Sequence, residues 1–375
     1  MTTHRHEPGT VPLRAAVRAR LYRSARTAHL ERSAALPPAL LLFDKRRYDF
    51  DEDLARRVGA VEATTFRAAR ILAASGVTTL EINEPSAVEG SRRTAFVLAW
   101  LRLWSWRQAR PRVVAYAIGN SSPFVPPVGL SFRRRWGLRL DYALARYVWW
   151  ECDRVAFGTT AARDAYREAF GRHPRPLDMT VVPALPVACP CAQGDAQRRP
   201  RVVFLGAFAA RKGFPLLAEA WPLVLADQPD AELVVVGKGE LEPLAHELGA
   251  LSSVRVVVDP PRDAIHEELR QARVLALPSQ RAGRWREQVG LPIVEGLAHG
   301  CTVVTTDETG LADWLVETGH RVLHAPTSVE DLAGSIAAAL RENRSAADVL
   351  ATLPLTDGRL EADAWMFSAP SPAVS

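Results

Sequence analysis

"RVVFLGAFAARKGFPLLAEAWPLVLADQPDAELVVVGKGE", residues 201–240, holds two apolar, β-branched runs, RVVFLGAF (201–208) and AELVVVGKG (231–239). Between them FPLLAEAWPLVLADQ repeats its apolar positions at helical spacing. Strands joined through a helix run parallel, and a strand covered on both faces reads as a continuous hydrophobic run. The same alternation continues through VRVVVD (254–259), RVLALPS (273–279), TVVTTD (302–307) and HRVLHAP (320–326). Amphipathic stretches such as ELEPLAHELGAL, DAIHEELRQA and SVEDLAGSIAAALRE lie between these runs. This is the pattern of a doubly wound α/β sheet, which binds ligands outside the carboxyl ends of its strands.

Upstream, strands are expected at 38–45, 77–82, 112–120, 154–159 and 179–185, with the helix VEATTFRAARILAAS following Gly59. A chain of 375 residues exceeds what one core usually serves. The expected division is a basic N-terminal arm over 1–35, a first domain over 36–185 and a Pro/Gly/Cys-rich linker over 186–200. A second domain over 201–345 follows, and a C-terminal segment, 346–375, can return to the first domain. No internal repeat is evident.

Composition excludes several classes. No apolar run is long enough to span a bilayer, and the N-terminus lacks the apolar segment of a secretory signal, so a cytoplasmic location is expected. Cys152, Cys189, Cys191 and Cys301 show no finger spacing, and the His residues form no metal-spaced pair; no metal site is expected. His299, before Gly300, reads as a helix end. Asp49 and Asp51 resemble a metal-binding Asp-x-Asp but more simply open a helix, where the dipole favours acids.

Charge is uneven. Residues 1–200 hold 32 Lys and Arg against 18 Asp and Glu, whereas residues 201–375 hold 15 against 24. The basic half either faces something anionic, a membrane surface being favoured over nucleic acid, or carries solvated charge. Three of its segments, 11–33, 97–112 and 131–150, interleave Arg with large apolar residues, and six of the ten Trp fall between 100 and 150. Such segments can lie in a headgroup layer, or bury Trp as core and solvate Arg. Lysine survives only as Lys45, Lys212 and Lys238, the last two beside glycines at strand ends, where a compact charge suits a phosphate.

The segment REQVGLPIVEGLAHG (286–300) brings the chemistry. Pro292 suits the first helical position, Glu295 then falls in the first turn, and Glu287 precedes it on a loop. Free amides near Gly290 and Leu291, with the helix dipole, make an anion site. Carboxylates on either side can accept from paired sugar hydroxyls.

Residues 201–340 resemble the nucleotide-sugar domain of the family 4 retaining glycosyltransferases, carrying VVFLGAFAARKGF, AELVVVGKGE, VLALPS, EQVGLPIVEGLAHGCTVVTT and TGLADWL in that family's order. The resemblance over 38–185 is thin. It implies the GT-B fold, two doubly wound Rossmann-like domains facing a central cleft. It further implies Glu287, Arg211 and Lys212 as catalytic residues, with Gly206, Lys238, Gly290, Leu291, Pro292 and Glu295 binding the donor. Gly59 and Asn120 are the acceptor-side candidates, and no metal or other cofactor is implied. The expected partners are a nucleotide sugar and a hydroxyl acceptor, lipid-linked or polyanionic as the basic, Trp-rich first half suggests, in glycan or polysaccharide biosynthesis at the inner membrane surface. The family commonly has Arg after the strand-end glycine where this chain has Ala207, and Arg211 is the available replacement. QRAGRWR (280–286) is longer and more basic than usual, so Arg284 and Arg286 either add phosphate charge or are solvated. Two alternatives stand beside a transferase: a catalytically silent nucleotide-sugar-binding or scaffolding protein, and a sugar-nucleotide epimerase of the same fold.

Overall fold

The computed structural model describes residues 17–47, 49–104, 109–122, 124, 131–192, 198–342 and 344–369. The chain divides into two compact units, one of 1–158, 163–182 and 359–375, the other of 159–162 and 183–358.

The first unit holds β1 (Arg18–Leu21), a short β2 (Ser24–Ala25), β3 (Leu40–Phe43), β4 (Lys45–Arg46), β5 (Val61–Glu62), β6 (Thr79–Ile82), β7 (Arg112–Ala117), β8 (Arg154–Phe157) and β9 (Asp178–Val181). Seven of these form a sheet in the order β5-β3-β1-β6-β7-β8-β9, and β2 pairs with β4 alone. Every pairing is parallel.

β1 corrects the expected arm. It lies between β3 and β6, with Ala19 opposite Leu40 and Leu80. The arm was inferred from arginine density, but Arg20 is almost wholly buried. Its Nε donates to Glu81 Oε2 at 3.0 Å and its Nη2 to Asp363 Oδ1 at 2.7 Å. Arg359 Nη2 reaches the other oxygen of Glu81 at 2.6 Å. Burial pushes the Glu81 carboxyl up, but Arg359 and Arg20 outweigh it and hold the group below its ordinary range. A charge so matched can sit inside a sheet; an isolated one cannot. The network also explains why the helix Gly358–Phe367 packs on the first sheet: Ala362, Met366 and Phe367 fill a core with Val114 and Ala156. Residues 1–16 of the expected arm lie outside the described residues.

The second unit holds β10 (Arg201–Leu205), β11 (Glu232–Gly237), β12 (Val254–Val258), β13 (Val274–Leu277), β14 (Thr302–Thr306) and β15 (Arg321–Leu323), in the order β12-β11-β10-β13-β14-β15. β10, β13 and β14 are buried along their whole length, as continuous apolar runs require. Phe204, Phe208 and Phe214 cluster on one face, and Trp221 is fully buried with its Nε1 donating to Ser253 Oγ at 3.1 Å.

The boundaries differ from the sequence reading in two places. Residues 186–192 and 198–200 are part of the second unit rather than a linker between units. Cys189 N–H donates to the carbonyl of Ala298 at 2.8 Å, so aperiodic sequence here marks an irregular but attached segment; residues 193–197 lie outside the described residues. Residues 346–358 also remain with the second unit, and only 359 onward belong to the first.

Candidate active site

β10 and β13 are neighbours, so the loops leaving their carboxyl ends meet. After β10 the chain passes Gly206 and Ala207 and makes a tight turn, Ala210–Lys212, closed by Gly213 at φ +70°. A Cβ on Gly213 would lie 1.9 Å from the carbonyl oxygen of Pro278, so only glycine lets this turn rest on the end of β13. Gln280 N–H then donates to the Arg211 carbonyl at 2.9 Å.

The result is a three-residue cluster. Lys212 Nζ donates to Glu287 Oε2, and Ser279 Oγ donates to the same oxygen at 3.1 Å. The Lys212 and Glu287 side chains are 12% and 10% exposed, which makes this a largely desolvated ion pair at the mouth of a parallel sheet. Arg211 and Lys212 both face the ring of Trp285, at 4.6 and 5.2 Å from its centroid. Trp285 is presented by a hairpin in which Ala282 and Trp285 exchange backbone hydrogen bonds.

Three residues beyond Glu287, Gly290 caps the helix Leu291–Ala298 at φ +82°. A Cβ on Gly290 would lie 2.9 Å from Ile293 Cδ1. The first amides of a helix have no intrahelical partner, and here they open three residues from the Lys212–Glu287 pair. The loop is tied down from behind, where Gly310 N–H donates to the Gln288 carbonyl at 2.8 Å and Thr309 Oγ1 to that of Val289 at 3.0 Å.

Several expected residues move. Pro292 is the second helical residue, not the first, because Gly290 rather than Leu291 supplies the cap. Glu295 therefore sits in the second turn, partly buried; burial pushes its carboxyl up while Arg262 pulls it down. Leu291 is exposed, and Gly206 directly follows β10. Lys238 turns towards the β12 edge and pairs with Asp259 at 2.7 Å, because the strand it follows lies between β10 and β12. Arg286 donates to Glu308 at 2.5 Å and to the Asp307 carbonyl at 3.1 Å, so it braces the loop.

In the first unit, Gly59 closes the helix Glu52–Arg57 at φ +66° and precedes β5. It thus stands at the amino end of a strand, opposite the end where ligands bind such sheets. Asp51 caps that same helix, accepting from Leu54 N–H at 2.9 Å. Asn120 is buried at the carboxyl end of β7, beside Ile118 and Gly119, whose amides donate to Glu84 at 3.2 and 3.0 Å. Burial pushes the Glu84 carboxyl up. Tyr22, Asn83, Glu84 and Ile118 line a small cavity of about 130 Å³ there.

Sequence reasoning missed Ser279, Trp285 and Glu84. Position alone could have found Ser279 and Glu84, since each stands two residues beyond a strand at the ligand-binding end. Trp285 carried no such signal, because a tight hairpin inside QRAGRWR was not legible. Among the described residues, one group of His and Cys side chains could hold a metal ion: Cys189, Cys191, His266 and His299.

Comparisons with known proteins bear on the family and the fold. Residues 192–350 match the family model described as glycosyl transferases group 1. A phosphatidyl-myo-inositol mannosyltransferase of Mycolicibacterium smegmatis is 31% identical over 120 residues, 32% of this chain and 30% of that protein. The match thus spans under a third of that relative's length. Among solved structures, WaaG, a glycosyltransferase involved in lipopolysaccharide biosynthesis, aligns over 94% of this chain and all of that one, with a TM-score of 0.58 and 16% identity. Anabaena HepE in complex with UDP aligns over 93% and 95%, with a TM-score of 0.61 and 14% identity. The chain has the two-sheet GT-B fold, and its residues 192–350 match the glycosyl transferases group 1 family model.

Proposed function

We propose that the protein is a retaining glycosyltransferase that moves a hexose-type sugar from a nucleoside-diphosphate sugar to a hydroxyl acceptor. The observation that carries this reading is the Lys212–Glu287 pair, set beside the open amides of the 291–298 helix. The leaving group is a diphosphate, so the main task is to stabilise charge developing on it. An ammonium has three donors, and Glu287 takes one. Lys212, Arg211 and the amides at Gly290 and Leu291 supply that stabilisation, and the proposed step requires no metal at the diphosphate. Glu287 accepts from donor-sugar hydroxyls and Glu295 from those of the ribose. Arg211, seated on Trp285, replaces the arginine absent at Ala207. The nucleotide-sugar partner is further supported by the UDP held in the HepE structure.

The acceptor side is proposed at the carboxyl end of the first sheet, around Asn120 and Glu84. A lipid-linked acceptor at an anionic membrane surface is supported by an aromatic and basic face on the first unit. Trp100 lies edge-on to Phe66 at 5.2 Å and stacks with Trp104 at 6.3 Å. With Arg67 and Arg70 these rings border a groove of about 720 Å³. Phe132, Trp136 and Leu140 are exposed on the helix Phe132–Glu151, whereas Trp149 is core. Among the described residues no helix is long and apolar enough to cross a membrane.

The test is a thermal-shift and turnover screen against UDP, GDP and ADP sugars, with membrane extract as acceptor source. Turnover of one donor that disappears in Glu287→Ala supports the transferase. A donor that binds without turnover would favour the silent-binder reading, for which Ala207 speaks. Conversion of the donor with no acceptor present would favour an epimerase. Flotation with anionic liposomes at low salt tests the membrane face, and no binding there removes it.

A further inference from the structure

In the second unit, three pieces of chain converge at the far end of the 291–298 helix from Gly290. Cys189 and Cys191 flank Pro190, which starts the short turn Pro190–Ala192. His266 comes from the helix Arg262–Gln271, and His299 is the C-cap of the 291–298 helix. Both Sγ atoms and one ring nitrogen from each His lie within 4.8 Å of one another. The two rings meet at 66° with centroids 4.8 Å apart, and the two thiol sulfurs are 2.7 Å apart.

His299 is the most informative member. It is 2% exposed, and its Nδ1 lies 2.7 Å from the Glu295 carbonyl oxygen. A carbonyl only accepts, so Nδ1 carries the proton and Nε2 the lone pair. Nε2 is buried with no hydrogen-bond partner. An unmet buried acceptor is costly, and a tautomer fixed by a backbone carbonyl is the usual arrangement of a histidine that ligates through its other nitrogen.

We propose that Cys189, Cys191, His266 and His299 bind one Zn²⁺ as a closed, tetrahedral, structural site. Two thiolates and two imidazoles are the donor set of structural zinc, and four protein ligands leave no open position for chemistry. On binding, each thiol releases its proton to solvent, so the ion and its two thiolates form a neutral centre. Zinc–sulfur bonds of about 2.3 Å set tetrahedral sulfurs roughly 3.8 Å apart, so the pair opens by about 1 Å as the ion enters. The site joins the segment leading into β10 to the helix whose other end, roughly 12 Å away, presents the amides at Gly290. Cys189 N–H already meets the Ala298 carbonyl, and Arg198 reaches the carbonyls of Ala272, His299 and Gly300, so the backbone is arranged before the ion arrives. The spacing hid this: a two-residue Cys pair and two distant His match no finger pattern. The inference does not depend on the transferase reading.

The experiment is metal analysis of the full chain, purified reduced and without chelator, followed by replacement with Co²⁺. About one zinc per chain is expected, with Co²⁺ giving thiolate charge-transfer and tetrahedral d–d bands. Cys189→Ser with Cys191→Ser should lose both signals while keeping wild-type far-UV circular dichroism, since neither thiol is core. His299→Gln should weaken cobalt binding at least tenfold, and chelation of the wild type should lower its Tm. Reduced protein that takes up neither Zn²⁺ nor Co²⁺ would overturn the proposal. So would undiminished metal in the double Ser variant, or a native Cys189–Cys191 disulfide found by alkylation and mass analysis.

Discussion

The two sheets place charge differently. In the first, Arg20, Glu81, Arg359 and Asp363 lie inside the unit, joined to one another by ion pairs. In the second, β10, β13 and β14 are buried throughout, and the desolvated pair, Lys212 with Glu287, stands where the strands end. The first arrangement cross-links a sheet to a returning helix, and breaking it should cost folding. The second contributes little cross-linking, and breaking it should cost chemistry. A buried ion pair is therefore informative only together with its position along the strand.

The largest expected effect separates the two most sharply. Lys212→Ala should reduce turnover by about 10²–10³-fold, the usual loss when one preorganised donor to a leaving group is removed. Its unfolding midpoint in urea should fall less than that of Arg20→Ala, because Gly213 and Gln280 hold the turn through backbone contacts and Ser279 still donates to Glu287. If Lys212→Ala unfolds the protein at unchanged specific activity, the two sheets do not differ as described.

Arg20→Ala is the converse. Removing one member of a buried network leaves the others uncompensated, at about 3–5 kcal/mol. Urea unfolding followed by Trp fluorescence should show this loss, while nucleotide affinity per folded molecule should be unchanged. Acid offers a third contrast. Glu81 is held below its ordinary range, so its contribution is present above the unfolded carboxylate pKa of about 4.3 and is lost as pH falls through the lower folded value. The first unit should therefore lose stability below about pH 4, and Glu81→Gln should flatten that dependence. A pH profile identical in Glu81→Gln and wild type would sink the assignment.

Much of the second sheet was legible in sequence, and the reason is physical. Parallel strands buried on both faces leave unbroken apolar runs, and each of the six expected in residues 201–326 contains a strand. β1 was illegible because RARL offers only alternate apolar residues, and its buried arginine finds partners at Glu81 and Asp363, distant in sequence. At the site, the turn around Lys212 and the Gly290 cap could be read because residues adjacent in sequence set each of them, whereas the pairing of Lys212 with Glu287, 75 residues apart, could not. Lys238 could not, since whether it turns towards β10 or β12 depends on Asp259. Gly59 misled for a related reason: glycine marks a turn at either end of a strand, and only sheet order says which end binds ligands.

Trp285 gives the smallest and most discriminating effect. A cation over an indole is worth about 0.5–1 kcal/mol at a half-exposed position. Trp285→Leu keeps apolar bulk in the hairpin but removes the π-face beneath Arg211 and Lys212. The expected outcome is a two- to five-fold weaker nucleotide affinity by calorimetry, with a larger relative loss for the diphosphate than for the monophosphate, because the cations are steered towards the second phosphate. Equal losses for both nucleotides would mean that Trp285 merely fills space. An unchanged affinity would mean that Arg211 is positioned by its backbone bond to Gln280 alone.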